Sequence, residues 1–177
     1  LNIYSRIETN QIPYNFIKMN ISDYFDDCVE DLAIDMKEKN IDLNYFDHTS
    51  GNLIVKADPE QIARVVNNIV GNSAKYMDKD YGTINIHLKK QKDEVVVIIE
   101  DNGQGIAKKD LPMVFERFYR ADASRNSKQG GSGIGLSIVK KIITDHGGKI
   151  WVESEEKKGT TMYFSLKCCK EDEKTDE

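Results

Sequence analysis

Apolar residues recur along this chain with two different periods, and the switches between them delimit its elements. Phe25, Val29, Leu32, Ala33 and Met36 fall at helical spacing. They predict a helix over about 22–39, with Ser22 as its N-cap. Ile41, Leu43 and Tyr45 alternate with polar residues, as in a half-buried strand, and 53–56 reads as a short second strand. Asp58 before Pro59 supplies a cap and a first helical residue that needs no N–H there. Ile62, Val65, Val66, Ile69 and Val70 form the buried stripe of the helix that follows. Strands are predicted over 83–89 and 94–101, the second nearly all apolar and therefore central in its sheet.

A helical piece around 110–118 leads into a long polar stretch. Leu136, Val139, Ile142 and Ile143 then share one face of a helix over about 133–146, with Gly147 as its C-terminal cap. Two closing strands, 149–154 and 160–166, precede a charged tail. At the other end, residues 1–7 resemble the end of a helix, and 8–20, with Pro13, read as a connector. Strands and helices mix without regular alternation, which argues against a doubly wound parallel sheet and for a sheet with helices packed on one face.

The length of 177 residues suits one domain with a single core. A formal charge of −5 works against broad binding to a phosphate backbone, so no nucleic-acid partner is expected. No apolar run reaches the length of a membrane helix. Cys28, Cys168 and Cys169 match neither a disulfide framework nor a metal spacing, and fit a reducing, cytosolic setting. The start at Leu1, without a methionine, reads as that of an excised piece.

Three groups of residues carry candidate chemistry. Asn68, Asn72 and Lys75, followed by Tyr76, stack on one face of the second helix. They read either as a solvated polar face or as amides beside a core that need partners, where an Asn oxygen suits Mg²⁺. Asp101-Asn102-Gly103-Gln104-Gly105-Ile106 ends the apolar strand and reads as a surface turn or a base-binding motif. In the second reading Asp101 accepts from an adenine amino group while Gly103 and Gly105 let the backbone come close. A guanine carbonyl there would leave an acceptor facing an acceptor.

Gly130-Gly131-Ser132-Gly133-Ile134-Gly135-Leu136 opens the third helix. A helix N-terminus with little side-chain bulk is a ready phosphate site, although any one of these glycines could be a plain connector. The run lacks the Lys of a P-loop and the context of a dinucleotide fingerprint. Between these motifs, 107–130 is long enough to be a lid or a linker. It holds Phe115-Glu116-Arg117-Phe118-Tyr119-Arg120, from which Arg120 could reach a γ-phosphate.

Taken in order, these motifs resemble the catalytic domain of sensor histidine kinases, in the superfamily shared with gyrase, Hsp90 and MutL. The stretch from Asn68 to Tyr76 is similar to the N box, and Asp101 to Gly105 to the G1 box. Residues 115–120 are similar to the F box and 131–136 to the G2 box. Gly159-Thr160-Thr161 stands where the last Gly-Thr motif belongs. The resemblance implies an α+β two-layer sandwich, the Bergerat fold, with a mixed sheet of about five strands and three helices on one face. It implies ATP and Mg²⁺ as ligands. Asn72 would be the metal ligand and Asp101 the adenine acceptor, with Tyr76 beside the base and Gly103, Gly105 and Ile106 around it. Lys75, Tyr119, Arg120 and the run Gly131, Ser132, Gly133, Ile134, Gly135 and Leu136 would line the phosphates. Thr160 would support Asp101 through water. Ser73 departs from the commoner Ala.

Asn68, Lys75 and Arg120 would act in phosphoryl transfer. At position 68 the ATPase clamps and related serine kinases carry a Glu that serves as a base. Asn68 cannot take a proton, and a neutral imidazole acceptor needs none taken, so the resemblance points to a protein-histidine kinase. An ATPase clamp, a serine kinase and a non-catalytic nucleotide-sensing module are the alternatives. His48 sits in a loop-like context, His87 on the polar side of a strand, and His146 at a helix end that favours a cation. None has the context of a phosphoacceptor. The acceptor is expected on an upstream dimerisation domain, with 1–19 as the end of its helical hairpin and linker, 20–167 as the catalytic domain and 168–177 as a tail. Expected partners are that domain and a response regulator. The isolated domain would be a monomer, cytoplasmic, from a homodimeric parent of a kind that is often a membrane sensor.

Overall fold

The computed structural model describes residues 11–116 and 135–170. Strand β1 (Ile17–Asn20) is followed by helix α1 (Ile21–Lys37), β2 (Ile41–Asp47), β3 (Ile54–Ala57) and α2 (Pro59–Lys75). After these come β4 (Gly82–Gln91), β5 (Glu94–Asp101), a short 3₁₀ turn (Leu111–Met113), α3 (Gly135–Asp145), β6 (Ile150–Glu155) and β7 (Gly159–Lys167).

Five strands form one mixed sheet in the order β2-β4-β5-β7-β6. β2 runs parallel to β4, and the other neighbours are antiparallel. One face carries Ile84, Ile86, Leu88, Val95, Val97, Ile99, Met162, Phe164 and Leu166, all buried. Against it pack Phe25, Leu32 and Met36 of α1, Val65, Val66, Ile69 and Val70 of α2, and Val139, Ile142 and Ile143 of α3. Each such side chain contributes about 1.5–3 kcal/mol of burial, so this single α+β core fixes the relative placement of α2, α3 and the end of β5. The opposite face stays largely open. There Phe46, His87, Ile98, Tyr163 and Trp151 lie in register across all five strands. His48 stacks on His87, with their ring nitrogens 2.9 Å apart.

Three local readings change. Asn20 rather than Ser22 caps α1, its Oδ1 accepting the Asp23 N–H at 3.0 Å. Ser22 lies inside the helix, and its hydroxyl donates to Asp47 Oδ2. Residues 17–20, expected within a connector, form β1, which pairs with β3. The strand has four residues and leaves Ile17 44% exposed, so it shows no alternation. The helical piece expected over 110–118 is a 3₁₀ turn over Leu111–Met113 without a capping side-chain bond; 117 and 118 lie outside the described residues.

Further contacts close the body. Cys169 N–H donates to the Ile54 carbonyl at 2.7 Å, joining β3 to the far end of the chain. On the other side, residues 14–16 strap onto the end of α3. The Tyr14 hydroxyl donates to Asp145 Oδ2 at 2.5 Å, and the Phe16 ring meets His146 edge-on at 4.9 Å. The Asn15 N–H donates to Asp58 Oδ2 at 2.8 Å.

Candidate functional site

Helix α2 starts where the sequence predicts, with Asp58 Oδ1 accepting the N–H groups of Glu60 and Gln61 and Pro59 at the first turn. Its buried stripe turns Asn68, Asn72 and Lys75 toward the start of α3. Between the two helices lies a cleft of about 210 Å³ lined by Asn67, Asn68, Gly71, Asn72, Lys75, Gly135 and Leu136. Asn67 and Gly71 were not singled out by the sequence. Asn67 is one residue off the i, i+4 pair and reads as solvated, and Gly71 has no side chain to signal a role. The described lining offers three amides and one ammonium group, and no carboxylate or imidazole.

Asp101 ends β5, opposite Thr160 of β7. Its Oδ1 accepts the N–H of Gly103 at 2.9 Å and of Thr160 at 3.3 Å. Its Oδ2 accepts the Ser73 hydroxyl at 2.7 Å. Burial pushes the Asp101 carboxyl above its ordinary value, and the bonds from Ser73, Gly103 and Thr160 pull it back, with help from Lys79. Ser73 immediately follows Asn72, so this bond ties the cleft wall to the carboxylate. Lys79 donates to the Asn102 carbonyl, and Asn102 Oδ1 accepts the Thr83 N–H at 2.9 Å.

The backbone around Asp101 is packed too closely for side chains. A Cβ on Gly103 would stand 2.9 Å from the Tyr76 carbonyl oxygen and 3.1 Å from Asp101 Oδ1. On Gly159, at φ +135°, it would stand 2.0 Å from the Asp101 carbonyl oxygen. Gly105, at φ +74°, would meet the Glu155 carbonyl oxygen at 2.1 Å. Gln104 N–H donates to the Tyr76 carbonyl at 3.1 Å, which fixes the loop to the end of α2. Lys75 Nζ lies 5.4 Å from the centre of the Tyr76 ring.

Ser154 is a further residue that sequence reasoning missed. Its Oγ donates to the Gly159 carbonyl at 2.8 Å and accepts the Ile106 N–H at 2.8 Å. With that proton committed, the 2.8 Å contact to Thr160 Oγ1 must have Thr160 as donor. Ser154 thus holds the loop after Asp101 against the β6–β7 turn, a role that arises from strand register.

The structure therefore brings Asn68, Asn72, Lys75, Gly135 and Leu136 together at one cleft. Gly103 and Thr160 donate to the Asp101 carboxylate, while Tyr76 meets the following loop at Gln104, and Gly105 and Ile106 belong to that loop, which is held at Ser154. Tyr119, Arg120, Gly131, Ser132, Gly133 and Ile134 lie outside the described residues. The donor set fits a nucleotide with its metal. Asp101 keeps acceptor capacity for an amino group, Lys75 offers charge to a polyanion, and amide oxygens suit a Mg²⁺ that takes most of its ligands from water and phosphate.

A family model described as histidine kinase-, DNA gyrase B- and HSP90-like ATPase matches residues 57–169. Sensor histidine kinase WalK of Bacillus subtilis is 42% identical over 115 residues, covering 64% of this chain and 19% of that protein. Sensor protein kinase WalK of Staphylococcus aureus is 36% identical over 118 residues, covering 66% of this chain and 28% of that protein. The chain thus spans less than a third of either relative. Among solved structures, the catalytic domain of histidine kinase ThkA superposes with a TM-score of 0.72 at 28% identity, over 86% of this chain and 95% of that one.

Proposed function

From the premise that this chain belongs to the family of histidine kinase-, DNA gyrase B- and HSP90-like ATPases, we propose that it transfers the γ-phosphoryl group of ATP to a histidine. The acceptor lies on an upstream helical dimerisation domain of the same protein. The observation that carries this reading is the cleft wall of α2: it offers Asn67, Asn68, Asn72 and Lys75 but no group able to take a proton.

A water or serine nucleophile must lose a proton as it attacks, and a base is normally placed to receive it. A neutral imidazole attacks through a nitrogen that carries none. The new bond joins that nitrogen to the γ-phosphorus, while the bond from phosphorus to the bridging oxygen breaks and ADP leaves with the electron pair. What remains for the protein is positioning and charge stabilisation. Asp101 holds the adenine amino group, and Tyr76 packs beside the base. Gly103, Gly105 and Ile106 keep the backbone close to it. Lys75 contacts phosphate, Asn72 supplies an amide oxygen to the metal, and Asn68 orients water or metal. Bound Mg²⁺ supplies neutralisation of phosphate charge. Tyr119, Arg120, the run 131–134, Gly135 and Leu136 complete the proposed phosphate site.

The reading extends to the parent protein: a homodimer that passes its phosphoryl group to a response regulator and is anchored as a membrane sensor. Among the described residues no helix is long and apolar enough to cross a membrane. The test is to mix the chain with labelled Mg·ATP and a separate acceptor-helix fragment. Acid-labile label on the fragment's histidine is expected. Tight ATP binding without label would favour a nucleotide-sensing module, and steady release of free phosphate would favour an ATPase clamp.

A further inference from the structure

We propose that Ser73 is a specificity-determining residue of the nucleotide site, holding Asp101 as a pure hydrogen-bond acceptor and so selecting a 6-amino purine over a 6-oxo purine. The inference rests on the reading of Asp101 as the base-binding carboxylate.

The two oxygens of Asp101 are not equivalent. Oδ1 is filled by two backbone N–H groups, from Gly103 and Thr160. These donors cannot rotate or reverse, and no side-chain substitution removes them. Oδ2 accepts the Ser73 hydroxyl alone among the described residues, at 2.7 Å, and a carboxylate oxygen has room for one more donor. Oδ2 is therefore the atom that meets the base, and Ser73 is the side chain that fixes its orientation. Ser73 is itself 8% exposed, so little water can replace its hydroxyl. A buried serine in a helix would otherwise turn back to a carbonyl of its own preceding turn. Here it reaches across to the next layer.

The same bond decides the charge on Asp101. Burial favours the protonated acid, and the Ser73 hydroxyl is the largest opposing influence. Lys79, from the loop after α2, is the charged group that acts on it; Ser73, Gly103 and Thr160 are uncharged. A protonated Asp101 would donate to a 6-oxo group and lose one acceptor position for a 6-amino group. Without the Ser73 hydroxyl, Asp101 takes up a proton at higher pH, and the site stops distinguishing the two bases.

The test uses the 177-residue chain with Mg·ATP and Mg·ITP as probes, titrated calorimetrically from mildly acidic to neutral pH. The ¹³C-carboxyl resonance of Asp101 is followed in parallel without nucleotide. In Ser73→Ala the Asp101 midpoint should rise. The ATP-over-ITP preference should fall by about tenfold, at a pH between the two midpoints, for each unit of that rise. Ser73→Thr, which keeps the hydroxyl, should follow the native profile. A Ser73→Ala chain with the native midpoint and native preference would overturn the role of Ser73 alone. A native chain that bound ATP no better than ITP would instead overturn the reading of Asp101, whatever the resonance showed.

Discussion

Thr160 meets Asp101 through its backbone N–H, 3.3 Å from Oδ1, while its hydroxyl donates to Ser154. Strand register thus gives Asp101 a direct bond from the backbone of this threonine. Thr160→Val should leave the bond to Asp101 intact and remove only one donor from Ser154. The expected cost is about 1 kcal/mol of stability in urea unfolding, with ATP affinity reduced far less than by a change at Asp101. A valine variant that bound ATP as weakly as Asp101→Asn would show that the hydroxyl itself holds the ligand.

Asp101→Asn should separate folding from binding. Burial raises the Asp101 carboxyl above its ordinary value, so ionising it costs more in the folded chain than in the unfolded one. Its contribution to stability is present at low pH and is lost as pH rises through the carboxylate range to the raised folded value. At neutral pH the neutral, isosteric amide removes that cost, and it can still accept from Gly103 and Thr160. The ligand-free variant should therefore unfold at the native temperature or above it. Its amide N–H₂ would oppose the adenine amino group, for a loss of about 1–3 kcal/mol in ATP binding by calorimetry. A large fall in the unfolding temperature would mean that the carboxylate is structural first.

Much of this arrangement was legible in the sequence wherever the determinants are local. Asp58, Pro59 and the stripe from Ile62 to Val70 specify α2 by spacing alone, and the same spacing puts the amides at 68 and 72 on one face of it. What escaped depends on partners distant in the chain. Ser73 acquires its role only when α2 docks on the end of β5, and Ser154 only when β6 and β7 pair in their observed register. Ser22, read as the cap of α1, instead engages Asp47 across the fold, and Asn20 takes the cap. β1 pairs with β3 at the periphery of the core, so its side chains carry no periodic signal.

The same substitution should have opposite effects at two glycines. Gly71 lies within α2, and a Cβ there would meet nothing within 4 Å. Gly71→Ala should stabilise the chain by up to about 1 kcal/mol through helix propensity alone. Gly159 combines φ +135° with a Cβ position 2.0 Å from the Asp101 carbonyl oxygen. Gly159→Ala must displace backbone at the β6–β7 turn and at Asp101 together, so it should lower both stability and ATP affinity. Urea unfolding and calorimetry on the two variants check the signs. A destabilising Gly71→Ala would mean that the helix is constrained there by something other than space.

His146 should make the strap over residues 14–16 sensitive to acid. Its Nδ1 lies 2.7 Å from the Ile142 carbonyl oxygen, which can only accept, so Nδ1 carries the proton. Its Nε2 accepts the Asp58 N–H at 3.1 Å and must therefore be bare. The ring is thus neutral, although a helix end would by itself favour the cation. Burial pushes its pKa below the ordinary 6.5, against the pull of the Ile142 carbonyl, Asp58 and Asp145. For a histidine with a depressed folded value, the stabilising contribution is present above the ordinary value and is lost as pH falls through the lowered one. Protonation would set two N–H groups against each other at Nε2 and loosen the rings of Tyr14 and Phe16 packed on His146. Asp101 pulls the other way as the pH falls, so the comparison must be with a variant at 146. Between pH 6.5 and mildly acidic conditions, the native unfolding temperature should fall more steeply than that of His146→Gln. The Tyr14 and Phe16 ring resonances should shift with the same midpoint. Parallel pH profiles for the two chains would exclude His146 as the acid-sensitive group.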